Sequence, residues 1–530
     1  IRTQRGLIPI SEVQVGDQVQ TGFGQKRRVI DCFETGERPV VVLKTRSGQT
    51  LRVSPEHPLW AVPSGESNAL WCTAGELEVG DILALDRTVW ESAKEPELPE
   101  VVPLVGRPNA ELPRVPFKMN PTLAYLLGLI VGDGSYRDQK DGTVDLTSMD
   151  TEIQEAYEKT LTSYGLRVCS YAPKGSQAIR LYVVSRAFRA WLLELGLDYV
   201  SASAKHIPEI IFRASTKSRA AFLRGLFDTD GSAGKEGSSN RSVRLVTASA
   251  ELANGVQQLL LSLGIVSNRR HSDVAVMLEV SGPSLPIFAE RIGFGLGYKK
   301  ERLEKLVASQ GEVGKTNRDT IPFGASLAEE FWSVLKKRNC PEVTRLRSIL
   351  SRIRHGTLKM SYRHLAECVT YLEQEGLPTP PRACQTRRLH HYFDPLISVE
   401  KTSKVADMVD IEVEGIHSFV AGSGMICHNS QGSEYPACVI ICHNTHYMML
   451  QRNLVYTALT RAKKFAVIIG TKWALKRSVT NKHVQPRYTR LSQRLQNLVE
   501  GLGTSGLPGT AKAGKETREL PTPPLPGRLF

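Results

Sequence analysis

The feature that most constrains this chain is a duplication. The segments LLGLIVGDG (126–134) and LRGLFDTDG (223–231) share one layout, an apolar helix with a glycine near its middle that closes on Asp-Gly-Ser. Each is followed by a Thr-Ser or Thr-Ala-Ser element and a long amphipathic helix closing in a Gly-hydrophobic pair. A strand (RLYVVS; VMLEVS), a further helix, a second glycine and a lysine come next. That lysine is Lys205 in the first copy and Lys299 or Lys300 in the second. One αββα-like unit is thus used twice, with Asp133 and Asp230 as equivalent positions. A glycine inside a helix costs about 1 kcal/mol relative to alanine. Close packing of the two helices would justify Gly128 and Gly225, and it would bring Asp133 and Asp230 side by side. Two adjacent carboxylates repel unless divalent cations sit with them, which is the donor set of a metal-assisted phosphodiester site. A single copy would read more simply as a core helix with an Asp-Gly cap; the repeated flanks argue against that.

The 530 residues suffice for about three or four domains. Lys and Arg number 68 against 54 Asp and Glu, a formal charge of +14, which favours a polyanionic partner, nucleic acid before membrane. No apolar run reaches about 18 residues, so no membrane span is expected. Nor is a secretory leader expected. The nine cysteines are odd in number and scattered without CxxC spacing, so reduced thiols in the cytoplasm are expected.

Along the chain, 1–90 read as short strands and turns, with an apolar run at 40–46, a Ser47-Gly48 turn and a resumption at Leu51. Val15-Gly16-Asp17 and Val79-Gly80-Asp81 repeat one turn signal, which suggests an all-β module. Residues 91–117, rich in Pro and Glu, read as a linker. The duplication occupies 118–305. Residues 306–392 are helical and basic, with Arg345, Arg347, Arg352, Arg354, Lys359 and Arg363 forming either a solvated face or an accessory DNA-binding region. Strand-like alternation returns over 393–429. Residues 430–500 form a separate α/β piece with ACVIIC and FAVIIG as buried strands, and 501–530 read as a disordered tail. Two phosphate-loop patterns fail. SQGEVGKT (309–316) lacks its first glycine at Ser309, and GTAKAGKE (509–516) lacks its hydroxyl at Glu516.

Two short segments carry further chemistry. In MICHNS, the carboxamide of Asn429 can attack its own backbone carbonyl and cleave the chain after it. His428 can move the proton, and Ser430 offers a hydroxyl nucleophile. In RVSPEHPLWA, the hydroxyl of Ser54 can hold His57 in one tautomer. Taken alone, His-Asn-Ser is a common loop tripeptide and a lone histidine is usually structural.

Taken together, the N-terminal β region, Ser54-x-x-His57 and DIEVEGIHSFVAGSGMICHNS resemble an intein of the Hint fold, over about 1–86 and 393–429. That family normally reads Thr-x-x-His at the first block; Ser54 keeps the hydroxyl. The resemblance implies that His57, helped by Ser54, activates an upstream peptide bond, and that Asp410 couples the steps. It implies that Ser430 takes the acyl group and that Asn429 cyclises with help from His428 and His417. No metal or ATP is implied for splicing. The first nucleophile, Cys or Ser, is expected upstream of Ile1, since Cys32 lies too far inside the domain to replace it.

The duplicated segments resemble the LAGLIDADG homing endonucleases. The resemblance implies a monomer of pseudo-twofold αββαββα fold whose sheets saddle a long, non-palindromic duplex DNA site. Asp133 and Asp230 would hold Mg²⁺, and Lys205 with one of Lys299 and Lys300 would be the active-site lysines. SQGSEYPACVI and LVYTALTRAKKFAVIIG resemble the last motifs of RecD-type superfamily 1 helicases. There Arg461 would reach ATP, in the assembled host helicase only, and Gln431, Gly432 and Glu434 match the motif between DNA and nucleotide. The expected architecture is multidomain: an all-β Hint splicing domain, an α+β endonuclease and an α/β helicase piece flanking the exit junction. The expected function is splicing of the host extein segments together with DNA cleavage. The alternative is a helicase fragment carrying an inert or cleavage-only insertion.

Overall fold

The computed structural model describes the chain apart from residues 92–93, 103–111, 136–141, 173–174, 176, 198–200, 235–240, 310–318, 337, 339, 430–434, 447–449, 451, 453–454, 456–457, 460–461 and 482–530, and the side chains of 435–436 and 463–464. It divides into two units, Ile1–Ser433 and Glu434–Phe530.

The first unit opens with strands β1 (Arg2–Thr3), β2 (Gly6–Leu7), β3 (Gln18–Gln20), β4 (Lys26–Thr45), β5 (Thr50–Val53), β6 (Pro58–Val62), β7 (Leu70–Thr73) and β8 (Ile82–Leu85). The apolar run at 40–45 ends β4. Gly48 turns the chain at φ +92°, and β5 returns with Val53 opposite Val41. The two Val-Gly-Asp turns are the same device. Gly16 and Gly80 adopt φ of +99° and +104°, a region that favours glycine. Asp17 and Asp81 each accept a backbone N–H from three residues back, Gln14 at 2.9 Å and Glu78 at 2.8 Å.

The duplication follows. Its first copy runs α1 (Pro121–Asp133), β9 (Gly134–Ser135), β10 (Thr143–Ser148), α2 (Thr151–Ser163), β11 (Cys169–Tyr171), β12 (Ile179–Val184) and α3 (Arg186–Glu194). A short helix α4 (Glu209–Arg213) leads to the second copy, α5 (Thr216–Asp230), β13 (Gly231–Ala233), β14 (Ser242–Thr247), α6 (Ala250–Ser262), β15 (Ser267–His271), β16 (Val276–Ser281) and α7 (Ser284–Arg291). The sheets are ordered β11-β12-β10-β9 and β15-β16-β14-β13, so the two αββαββα copies match strand for strand. Asn120 and Ser215 cap α1 and α5 by accepting N–H groups of Leu123 and Ser218. Their apolar flanks share one core with both sheets, through Leu127, Leu129, Phe222, Leu226, Leu146, Leu181, Leu245 and Leu278.

The mid-helix glycines have the expected cause. A Cβ on Gly128 would run into the Phe222 carbonyl oxygen, and one on Gly225 into the Tyr125 carbonyl oxygen. Backbone cannot move aside as a side chain can. Gly225→Val is therefore expected to destabilise the protein by about 3 kcal/mol, at the upper end for overpacking. Thermal unfolding checks this, and an unchanged midpoint would refute the helix contact.

Helix α8 (Gly297–Ala308) seals this core with Leu303 and Leu306. Helices α9 (Gly324–Leu335), α10 (Pro341–Arg354), α11 (Tyr362–Gln374) and α12 (Pro381–Leu389) form a third core whose Phe331, Leu350, Leu365 and Leu372 pack with Val62, Ala84, Phe393 and Ile426 of the β region. Their basic faces are substantially tied to acids: Arg345 and Arg363 meet Glu367, Arg354 meets Glu329, and Arg382 meets Glu330. The Pro- and Glu-rich stretch expected to be a linker is fastened down where it is described. Trp90 and Leu98 are buried, and Glu95 accepts hydrogen bonds from Ser215 and Ser218.

The chain then returns through β17 (Tyr392–Val413), β18 (Ser418–Val420) and β19 (Ile426–His428). β17 runs antiparallel to β8 and then to most of β4, and β19 lies against β6 with Cys427 opposite Leu59. The early and late segments thus build one 11-stranded sheet around a core containing Val29, Leu43, Leu59, Ile411 and Phe419.

In the second unit, β20 (Tyr435–Cys442) and β21 (Ala462–Gly470) pair in parallel, followed by α13 (Lys472–Thr480), capped by Thr471. The strands contain ACVIIC and FAVIIG, but they are not the buried strands expected: Val439, Ile441, Phe465 and Ile469 are exposed, because among the described residues the two strands pair only with each other. Among the described residues, no helix is long and apolar enough to cross a membrane.

Candidate functional site

The ends of α1 and α5 bring Asp133 and Asp230 together, close enough that the Asp133 charge acts on Asp230. Burial at the packed helix ends raises the Asp230 carboxyl to about 6; Asp133 adds to the rise, while Lys205 and Lys299 oppose it. Asp133, the more exposed of the two, is also raised by desolvation, again opposed by both lysines. Lys205 donates to the Gly132 carbonyl at the end of α1. Lys299 is buried and donates to the carbonyls of Asp228 (2.6 Å) and Gly231 (2.7 Å) at the end of α5. An ammonium at the carbonyl end of a helix is favoured by the helix dipole. Burial lowers both lysines, with the neighbouring aspartates opposing. Of the two lysines that sequence leaves open, Lys299 faces the aspartates, and Lys300 is exposed on the next step of α8.

One residue at this site carries no sequence signal of its own. Asp228 is buried and accepts from Tyr125 Oη (2.8 Å) and from the backbone N–H of Gly295 (2.9 Å) and Leu296. It thereby fixes the start of α8, which carries Lys299. Its counterpart in the first copy is Val131, so the duplication is asymmetric here.

The donor set suits a divalent cation. Among the described residues no cluster of three His, Cys, Asp or Glu side chains could hold a metal alone. Two carboxylates at adjoining helix ends, one of them raised further by the other, fit Mg²⁺, which keeps waters and takes substrate phosphate oxygens as its remaining ligands.

A second site lies in the β region. A cavity of about 620 Å³ is lined by Ile1, Ser54, His57, Asp410, Phe419 and Cys427, residues from the early and late segments of the β region. His57 N–H donates to the Ser54 carbonyl (3.1 Å), which closes the turn between β5 and β6. The His57 ring lies 6.0 Å from that of Phe419. Burial lowers the His57 imidazole, with Asp410 opposing and His428 adding, so His57 is neutral near pH 7. The buried Asn429 follows β19. Its backbone N–H donates to the His417 carbonyl (3.0 Å), and its Nδ2 lies 3.4 Å from His417 Nδ1. An amide nitrogen donates, so His417 Nδ1 is the acceptor. His417 adopts φ +55°, an unusual backbone for a non-glycine residue. His428 Nδ1 lies 2.8 Å from the carbonyl oxygen of Asn429; a carbonyl only accepts, so Nδ1 carries the proton. Trp71 braces the His428 ring edge-on at 4.9 Å. Ser430, Gln431, Gly432, Glu434 and Arg461 lie outside the described residues, as do both incomplete phosphate loops apart from Ser309.

Buried neutral histidines set a pH dependence. His57 and His391 both sit below the ordinary 6.5 through desolvation. Their unfolded forms take up protons first, so their contribution to stability is present above about pH 6.5 and is lost as pH falls through the folded value. Asp230, raised to about 6, acts in the opposite sense and favours the fold in acid. Asp133, Asp228 and Asp394, also raised by burial, act in the same sense as Asp230. Removing one histidine isolates its share: the midpoint at pH 5 relative to that at pH 7 should be higher in His391→Gln than in the wild type, and an unchanged pH profile of unfolding in the variant would refute the assignment.

Comparison with known proteins bears on parts of the chain. Residues 217–293 match the family model of a LAGLIDADG-like domain, and residues 425–469 match that of a UvrD-like helicase C-terminal domain. The chain is 30% identical over 443 residues to a replicative DNA helicase DnaB of Rhodothermus marinus, covering 78% of this chain and 42% of that protein. It is 29% identical over 322 residues to an elongation factor 2 of Methanopyrus kandleri, covering 59% of this chain and 23% of that protein. A crystal structure of I-DmoI in complex with DNA and Mn is similar at 19% identity and a TM-score of 0.26, over 32% of this chain and 96% of that one. The chain spans less than half the length of these curated relatives. It is a mixed α/β multidomain protein that contains a LAGLIDADG-like domain, and its residues 425–469 are similar to a UvrD-like helicase C-terminal domain.

Proposed function

We propose that residues 1–429 are a self-splicing intein carrying a LAGLIDADG homing endonuclease, inserted in a DNA helicase of RecD type whose sequence resumes at Ser430. The observation that carries this reading is the convergence on the Asn429 carbonyl. His428 donates to its oxygen, His417 receives the carboxamide N–H, and His57 from the β5–β6 turn and Asp410 from β17 line a cavity together with Cys427 of β19.

The chemistry follows from these positions. Asn429 Nδ2 attacks its own carbonyl carbon and passes a proton to His417 Nδ1. The new C–N bond closes a succinimide, and the peptide bond to the nitrogen of Ser430 breaks. His428 stabilises the charge that develops on the oxygen, and the departing nitrogen takes up a proton as an amine.

The relatives support a mobile element. A replicative helicase and an elongation factor share no task, yet each aligns with more than half of this chain. What they have in common is then a module carried by unrelated hosts. At the other site, Asp133 and Asp230 would hold Mg²⁺, which when bound supplies a Lewis acid and an activated water for phosphodiester hydrolysis of duplex DNA. Lys205 and Lys299 anchor the helix ends and place positive charge beside the reacting phosphate. The match of 425–469 to a helicase domain supports the host assignment, with ATP used only by the assembled helicase. The splicing half is tested by mass after incubation of the purified chain: release of a segment beginning at Ser430 is expected, and an intact chain under all conditions would overturn it.

A further inference from the structure

A cavity of about 840 Å³ belongs to neither site. It opens between strand β15, the turn after β4, and the segments flanking α9 and α10. Among the described residues that line it, the charged ones are Arg46, Arg269, Arg270 and Lys359, and none is acidic. Arg46, Arg270 and Lys359 are exposed; Arg269 is buried.

Its position matters more than its charge. β15 is an edge strand of the second endonuclease sheet. In that sheet Asn268 stands opposite Glu279, Arg244 stands opposite Glu279 from the other side, and Arg270 stands opposite Met277. Side chains of a strand alternate between faces. Arg244, Asn268 and Arg270 therefore share the face turned away from the core residues Leu245 and Leu278. Asn268 and Arg270 also line the cavity, so the outer face of the sheet runs into the cleft without a step. The seam is fixed by backbone: Arg269 N–H donates to the Ser47 carbonyl (2.8 Å), and its guanidinium donates to the Gly48 carbonyl. Arg46 stands beside that seam. Lys359 stands on the opposite wall, held where Ile321 N–H donates to the Met360 carbonyl (2.8 Å). Among the described residues, the carboxylate paired with a rim cation is Glu279, 3.5 Å from Arg270.

We propose that this cleft is a second DNA-binding site, in which Arg46, Arg270 and Lys359 hold backbone phosphates of the duplex flank lying beyond the β15 edge. It rests on the endonuclease reading and adds to it a one-sided footprint shared by three parts of the first unit. The first copy of the duplication has no such neighbour at its edge strand β11 among the described contacts, so the extension falls on the half-site read by the second copy.

The test uses the full chain and fluorescent mixed-sequence duplexes of 20 and 40 base pairs, with affinity measured against salt. Each phosphate contact contributes about 0.9 to the slope of log K against log salt. Neutralising all three cations (R46Q with R270Q and K359Q) should lower the slope on the longer duplex by about two to three, with affinity falling tenfold or more near physiological salt. A control neutralising three exposed cations outside both the cleft and 306–392 (R27Q with K159Q and K404Q) should leave the slope unchanged. Thermal unfolding of both variants identifies any loss of fold. The single variants R46Q and K359Q, each expected to lower the slope by about 0.9, keep the test open if the triple variant unfolds. Equal slopes for wild type and cleft variants, with DNA still bound, overturn the cleft and leave the endonuclease reading standing. Failure of the wild-type chain to bind either duplex overturns both.

Discussion

Asn429→Ala is expected to abolish release of the segment that begins at Ser430, leaving the chain at its full 58.6 kDa. Alanine has no nitrogen with which to close the ring, so the step disappears instead of slowing. The partners should behave differently. His428→Ala removes the donor 2.8 Å from the carbonyl oxygen, and His417→Ala removes the acceptor beside Nδ2. Each should slow release by about 10²–10⁴-fold, the usual worth of a positioned acid or base. His57→Ala should leave this step largely intact, because His57 lines the cavity with Ser54 and Asp410, whereas His417 and His428 are the groups set against Asn429. Mass spectrometry over a time course separates these outcomes. Undiminished release from the Asn429 variant would sink the splicing assignment.

Asp133→Asn or Asp230→Asn is expected to eliminate Mg²⁺-dependent double-strand cleavage of the host coding sequence joined without the insert. Each amide keeps the shape of the side chain and loses the charge that holds the cation. Release at Asn429 should continue in both variants, since the two sites use separate residues. A second signature accompanies the loss. Asp230 sits with a raised carboxyl because its charged form is desolvated and repelled by Asp133. An uncharged amide relieves that penalty above about pH 6, so Asp230→Asn should unfold at a slightly higher temperature than the wild type at pH 8. Cleavage on a gel and a melting curve read the two effects. Full cleavage by either variant would remove the metal site from where we place it.

The duplication is the most legible part of the sequence because its cause is periodic: apolar spacing, a central glycine and a terminal aspartate recur together. The glycines are legible too, since a missing side chain at a costly helix position points directly to a close backbone neighbour. The choice between Lys299 and Lys300 is beyond sequence reasoning, because it depends on the rotational phase of α8 against α5. Asp228 is hidden for a related reason: its partners are Tyr125, distant in the chain, and backbone N–H groups that no residue type announces. The stretch after Trp90 misleads because Pro and Glu suggest solvent, whereas Glu95 is held by two serines of α5 and its N-terminal cap. The arginines of 306–392 suggest a basic surface, while the acid partners of Arg345, Arg354 and Arg382 come from neighbouring helices invisible to a local scan.

The ladder between β4 and β17 has a consequence for biosynthesis. Strand β4 starts at Lys26, and its partner β17 is complete only at Val413. At ribosomal speeds of about 5–20 residues per second, the first half waits some tens of seconds with its edge bare. Under the proposed splicing function, no bond could be cut during that interval, because the cavity shared by the early and late segments does not yet exist. Translation itself would then guard against premature scission, and a holding chaperone has its longest opportunity to act in that window.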